Sequence, residues 1–339
     1  MSEIQIVIEQ IFLLLIVGVI GFGAGRLKYL PASSDKVISS LIVKIIAPLM
    51  IFTNMVAMDF DARDYLNGVK IYFLAIVFVL LGYVISLLLR KICKVKGSIG
   101  RIFSMQMMFG NTLYFSMPLI IMLKDQLPDV WGKGIAYAMF FVLGNDTIMW
   151  TLGISLISSK EGDSLKTRLK HLLNPNSIAF ILGVIAVLTG VRSVVSNIHL
   201  LDIFVGKLTD IGKMTSLLSM IFIGLMLSKL RLSVIVKEFK TKYILFVSSC
   251  VKLLLLPMLA LGTIGVLNAL FPGFMPIEPA KVAVMQLAMP GAIIVAALAG
   301  QYDSDPEFAT EGIFVSTVLL IVTLPFILWM SGRILYIVL

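Results

Sequence analysis

Asn111 stands inside a long apolar run and directly follows Gly110. Its carboxamide offers donors and an acceptor, and a glycine is a place where a helix can open. The surrounding residues recur later in the chain. Met105-Gln106-Met107-Met108-Phe109-Gly110-Asn111 lies over Met285-Gln286-Leu287-Ala288-Met289-Pro290-Gly291, with Met on Met, Gln on Gln, and one helix breaker, Gly110, on another, Pro290. In lipid, backbone groups freed by a break persist only where protein or a water-filled cavity satisfies them. Matched interruptions in the two halves of a chain are the sequence mark of a transporter's solute site. The chemistry on offer is anion binding. Half-helix N-termini carry partial positive charge and can hold a carboxylate without a formal cation. Asn111, Gly110, Pro290 and Gly291 are therefore candidate solute-binding residues. Gln106 and Gln286, one turn earlier, either join the site or bond one helix to another.

A second set of residues stands out by cost. A charge at the bilayer centre costs about 2.5–3.5 kcal/mol on insertion scales. Asp146, flanked by Asn145 and Thr147, lies near the middle of an apolar segment, and Lys252 lies similarly deep in another. Either both face a cavity and bind solute or a coupling ion, or they form a buried pair that orients helices. Lys44 and Lys213 are nearer segment ends and can snorkel. The Met-rich runs read as packing. Pro48, Pro118, Pro257 and Pro325 read as kinks, and Asn174-Pro175-Asn176 as a helix cap; Asp305-Pro306 has the same form. Two histidines, His171 and His199, and two cysteines, Cys93 and Cys250, build neither a metal site nor a nucleophile–base pair. An enzyme is not indicated, and no cofactor is implied beyond a coupling ion, H+ or Na+.

The elements that must position these residues are transmembrane helices. The chain is 59% hydrophobic and 14% charged, with a mean hydropathy of +1.03. Ten segments of about 20 residues can cross a bilayer core: near 9–25, 37–57, 69–90, 102–123, 134–158, 176–191, 207–228, 241–268, 279–300 and 312–335. The first lacks a basic n-region, having Glu3 and Glu9 before Arg26, and reads as a retained span.

The net charge of +9 points to topology and not to nucleic acid. Basic residues gather in alternate loops: Arg26, Lys28 and Lys36; Arg90, Lys91, Lys94, Lys96 and Arg101; Lys160, Lys166, Arg168 and Lys170; Lys229, Arg231, Lys237, Lys240 and Lys242. The positive-inside rule makes these loops cytoplasmic and both termini external. Residues 1–158 and 176–339 then form two five-helix repeats of opposite orientation, joined by a cytoplasmic loop at 159–175. Gly18-Val19-Ile20 with Gly25 matches Gly183-Val184-Ile185 with Gly190 at the same spacing.

Gly110-Asn111-Thr112-Leu113-Tyr114-Phe115-Ser116-Met117-Pro118 resembles the fourth-helix motif of the auxin efflux carrier family, which includes plant PIN-FORMED carriers and bacterial organic-acid permeases. Gln286-Leu287-Ala288-Met289-Pro290, Ala299-Gly300-Gln301-Tyr302, Asp305-Pro306 and Leu324-Pro325 resemble its later motifs. The resemblance covers the whole chain, without a long cytosolic insertion. It implies an all-α polytopic membrane protein of ten transmembrane helices in two inverted five-helix repeats. Helices 1, 2, 6 and 7 would be a scaffold, usually dimeric, and helices 3–5 and 8–10 a mobile transport domain. Helices 4 and 9 would break and cross at Gly110 and Pro290, with Asn111 touching solute. Gly110 stands where the plant motif has proline, and Ser116 where glycine is usual, so auxin itself is not implied.

The expected function is secondary active transport of a small organic anion, a carboxylate, across the cell membrane by an elevator or rocking motion. The alternative is a channel or membrane-embedded sensor on the same fold. The topology predicts that single cysteines at Lys94 and Arg168 react with an impermeant reagent from the cytoplasm, and one at Lys124 from outside. The reverse pattern would remove the basis for an inverted repeat.

Overall fold

Long apolar stretches with few interior charges become long helices here because a bilayer leaves the backbone no other partner than itself. A computed structural model describes residues 3–31, 33–57, 60–158, 173–191, 195, 197–229, 239–302 and 304–338. Lys160, Lys166, Arg168, Lys170, His171, Arg231 and Lys237, singled out above, lie outside the described residues.

The helices are α1 (Glu3–Arg26), α2 (Ser34–Ala57), α3 (Ala62–Ile92), α4 (Gly97–Met108), α5 (Ser116–Gln126), α6 (Pro128–Ile157), α7 (Pro175–Leu188), α8 (His199–Ser228), α9 (Tyr243–Leu270), α10 (Ile277–Leu287), α11 (Ile293–Gln301) and α12 (Pro306–Val338). Seven of them are long and apolar enough to cross a membrane, α7 is a shorter apolar helix, and α4/α5 and α10/α11 are interrupted pairs. At about 1.5 Å per residue each half of a pair spans roughly 14–18 Å, about half of a ~30 Å bilayer core.

Several helices begin earlier than hydropathy suggests. α8 starts at His199 and not near 207, and Lys207, Asp210 and Lys213 lie within it in exposed i,i+3 pairs at 3.7–3.8 Å. Such pairs contribute little to stability, but they lower the local hydropathy. α3 starts at Ala62 under a capping box. The Asp61 carboxylate accepts from Asp64 N–H at 2.8 Å, and the Asp64 carboxylate from Asp61 N–H at 3.1 Å. α7 is capped as expected: Asn174 Oδ1 accepts from Ser177 N–H at 3.0 Å, with Pro175 at the first position. Asp305 caps α12 through Phe308 N–H at 3.1 Å.

Three helices contain a wide π-helical turn, at Ile42–Ile46, Met149–Gly153 and Val251–Leu255. Pro48 and Pro257 each follow such a turn by two residues. Proline has no N–H for the carbonyl four residues back and clashes with it, so the preceding turn opens into i→i+5 bonding. These prolines widen a turn as well as interrupting it. Pro118 sits in the first turn of α5, where a missing N–H costs nothing.

Packing divides the helices. α1 lies along α8, while α2 packs on α7 and α8; on the other side α3 packs on α4 and α6, and α12 on α9, α10 and α11. The α1–α8 contact is close: a Cβ on Gly224 would stand 2.0 Å from the Gly18 carbonyl oxygen, and one on Gly21 2.4 Å from that of Ile221. Small residues let helix backbones approach where lipid gives no hydrophobic drive to association. The expected Met packing is present, with Met105, Met107, Met108, Met117, Met285 and Met289 all buried.

Gly224→Val should lower stability by about 1–3 kcal/mol by overpacking, seen as an earlier thermal transition in detergent. Gly206→Ala, on the same helix with nothing within 4 Å of the new Cβ, should leave the transition in place. Equal midpoints for the two variants would argue against a close α1–α8 seam.

Candidate functional site at the helix crossing

α4 stops because Phe109 turns to an extended conformation (φ −107°, ψ 125°), and α11 starts after Ala292 does the same (φ −67°, ψ 128°). The two extended stretches meet. Asn111 N–H donates to the Pro290 carbonyl at 2.7 Å, Ala292 N–H donates to the Phe109 carbonyl at 3.1 Å, and Gly110 faces Gly291 as an antiparallel bridge. Pro290 has no N–H to orphan. Gly291 N–H donates to Ser316 Oγ on α12 at 3.0 Å. The Met108 carbonyl, at the negative end of α4, accepts from Lys252 Nζ on α9 at 3.1 Å. A Cβ on Gly110 would stand 3.3 Å from Met289 Cβ, so glycine lets the strands close up.

Beside the crossing lies a chamber of about 140 Å³. Gly110, Asn111, Thr112, Leu113 and Tyr114 line it from the first break, and Ala292, Ile293 and Ile294 from the second; Asn145, Asp146, Met149 and Trp150 come from α6, and Asn174 and Asn176 from the start of α7. The first turns of α7 and α11 thus face the chamber. Asn111 Oδ1 accepts from Tyr114 N–H at 3.2 Å, which leaves its Nδ2 as the donor on the chamber side. Asn145 is buried with Oδ1 unpaired. The Asp146 carboxylate meets the side chains of Asn145 and Asn174. Among the described residues no Lys or Arg lines this chamber.

The chamber adjoins a vestibule of about 640 Å³ lined by Asp35, Lys36, Ser39, Ser40, Lys44 and Thr310 among others; Val43, Tyr114, Ile293 and Ile294 are common to both. Asp35 pairs with Lys229 at 2.7 Å. Lys44 lines this cavity wall. Polar contacts join the helices near the far end of α2. Lys124 Nζ donates to Asn54 Oδ1 at 2.9 Å, and Lys133 N–H to Glu278 Oε1 at 2.6 Å. Asp64 takes an ion pair from Lys133 and a 2.6 Å bond from the Tyr137 hydroxyl.

The structure thus brings together Asn111, Gly110, Asn145 and Asp146, with Pro290 and Gly291 forming the bridge behind them. It sets three expected residues apart. Lys252 neither lines the chamber nor pairs with Asp146; its ammonium serves the Met108 carbonyl, so the buried-pair alternative is corrected. Gln106 Nε2 donates to the Ala309 carbonyl on α12 at 2.5 Å, the interhelical bond that was the second reading of that residue. Gln286 is fully buried below the crossing and neither of its side-chain polar atoms has a partner. The sequence reading missed Asn174, Asn176, Trp150 and Tyr114 as lining residues. The signal for the first two was visible, but a cap accounted for it: Asn174 Oδ1 caps α7, and the same side chain also meets the Asp146 carboxylate.

A family model described as "Membrane transport protein" matches residues 6–328. No curated protein matches the chain. Asn111→Ala should weaken half-saturation of uptake by about ten-fold or more, since a hydrogen bond to a charged group contributes ~1.5–3 kcal/mol. Asn111→Asp keeps the acceptor for Tyr114 N–H and loses the donor. It should show the same loss in reconstituted vesicles while unfolding at the wild-type temperature. Unchanged uptake in both would leave Asn111 a turn-forming residue only.

Proposed function

We propose, from the premise that the chain belongs to the membrane transport protein family that contains the auxin efflux carriers, that it is a secondary transporter of a small carboxylate with two inverted five-helix repeats. One observation carries this reading: a small chamber of amides and helix N-termini lies beside the crossing of two interrupted helices and shares four wall residues with a larger vestibule. A solute site at matched helix interruptions is the arrangement of secondary transporters. The vestibule end carries Lys36 and Lys229, so the positive-inside rule makes it cytoplasmic. The packed group α1, α2, α7 and α8 supplies the scaffold and the dimer contact. The rest moves against it in an elevator or rocking step.

The size supports a small solute. The chamber's 140 Å³ is well short of the ~300 Å³ at which drug-sized pockets begin. The charge pattern supports proton coupling. Asp146 is the one formal charge on the wall among the described residues. Two like charges about 4 Å apart repel by ~4 kcal/mol at an effective dielectric of 20. A carboxylate therefore binds with Asp146 protonated, and the proton travels with it. The Lys252 ammonium already stands at the C-terminal end of α4, where a Na+ would otherwise be drawn.

Proteoliposomes test this. Uptake of a small carboxylate such as malonate or succinate should saturate, show counterflow and accelerate under an inward proton gradient, with no response to Na+. Asp146→Asn should abolish the proton response while exchange survives. Linear, non-saturating flux would favour a channel. Saturable uptake of a small amine, blocked by Asp146→Asn, would reverse the sign of the solute.

A further inference from the structure

Chamber and vestibule share four wall residues, Val43, Tyr114, Ile293 and Ile294. Tyr114 is the polar one and the largest. It follows the crossing by three residues, and its N–H is held by Asn111 Oδ1 at 3.2 Å. Its ring extends away from the break toward the other helix group. There the hydroxyl lies 3.2 Å from Ser39 Oγ on α2, and the ring packs on Phe222 of α8 with centroids 5.2 Å apart at 42°. The side chain is thus fixed at the backbone by the solute-site asparagine, and at the ring by two residues of the opposing group. It stands between a space of about 140 Å³ and one of about 640 Å³.

We propose that Tyr114 is a size-determining partition that sets the largest solute able to pass from vestibule to chamber. The ring is the barrier, and the Ser39 and Phe222 contacts hold it upright. Small linear carboxylates pass beside it, whereas an aromatic acid such as indole-3-acetate does not. The bond from Asn111 ties the two functions: a solute that engages the Asn111 amide acts on the residue that also positions the partition. The inference rests on the proposed transport reading only for the nature of the solute; the partition itself is geometric.

The test is therefore made without transport. Cys93 and Cys250, the two native cysteines, are replaced. A thiol is introduced by Val142→Cys, at a buried position that lines the chamber and not the vestibule. Purified protein is treated with a small methanethiosulfonate and, separately, a bulky aromatic maleimide. With Tyr114 in place the small reagent should modify the thiol and the bulky one should lag by at least ten-fold relative to its rate on a free thiol. Tyr114→Ala should remove that lag, and Tyr114→Leu should reduce it. Tyr114→Phe, which keeps the ring and loses the hydroxyl, should retain most of it. A thermal transition near that of the parent verifies folding. An unchanged lag in both Tyr114→Ala and Tyr114→Leu overturns the proposal, and so does a thiol that neither reagent reaches. If the lag disappears but no carboxylate is ever transported, the partition stands and the solute assignment falls.

Discussion

Every peptide group freed inside a membrane must find a partner within the protein. Two interrupted helices free several such groups at one depth, and each left unpaired costs a few kcal/mol. The crossing resolves this by pairing the two breaks with each other. Asn111 N–H reaches the Pro290 carbonyl and Ala292 N–H the Phe109 carbonyl. Two further groups are met from outside the pair by Ser316 Oγ and Lys252 Nζ. Because the breaks partner each other, α4/α5 and α10/α11 are bound to one another, with α9 bonded to the first and α12 to both. The contacts that stabilise the break therefore also join these helices into one unit.

That unit explains where polarity is tolerated. Lys252 is buried, yet its amino group donates to a carbonyl at the C-terminal end of a half-helix, where a donor is favoured. Gln106 is buried against Gly312, whose missing side chain leaves room for the amide, and it closes a bond to α12. Asp146 has neither a helix C-terminus nor a cation; it has amides and a chamber. The formal positive charges Lys36 and Lys44 line the vestibule and not the chamber.

The polar contacts around Asp64 follow a different logic. Asp64 is largely buried and ion-paired to Lys133. Such a pair repays its desolvation only when its remaining lone pairs are used. They are: the Tyr137 hydroxyl and the Asp61 backbone N–H both donate to Asp64.

Much of this was legible in the residues. The helical membrane class follows from composition, since hardly any polar surface exists for a soluble fold. The two breaks follow from local chemistry: glycine and proline disrupt a helix, and the Met-Gln register around them marks the two interruptions as alike. The caps at Asn174 and Asp305 were local too. What the sequence could not decide is which deep polar residues share a space. Asp146 and Lys252 look alike by depth, but rotation about each helix axis turns one toward the chamber and the other toward a backbone carbonyl. Gln106 and Asn111 lie five residues apart, yet the intervening extended residues put them in different surroundings. Tyr114 looked like one more aromatic after a motif, and only the approach of α2 and α8 makes it a wall. Residue type and order determined the helices and their interruptions, because those depend on neighbours in the chain. The chamber depended on the tertiary structure, because it is made by residues from separate helices whose rotation and approach no local pattern encodes.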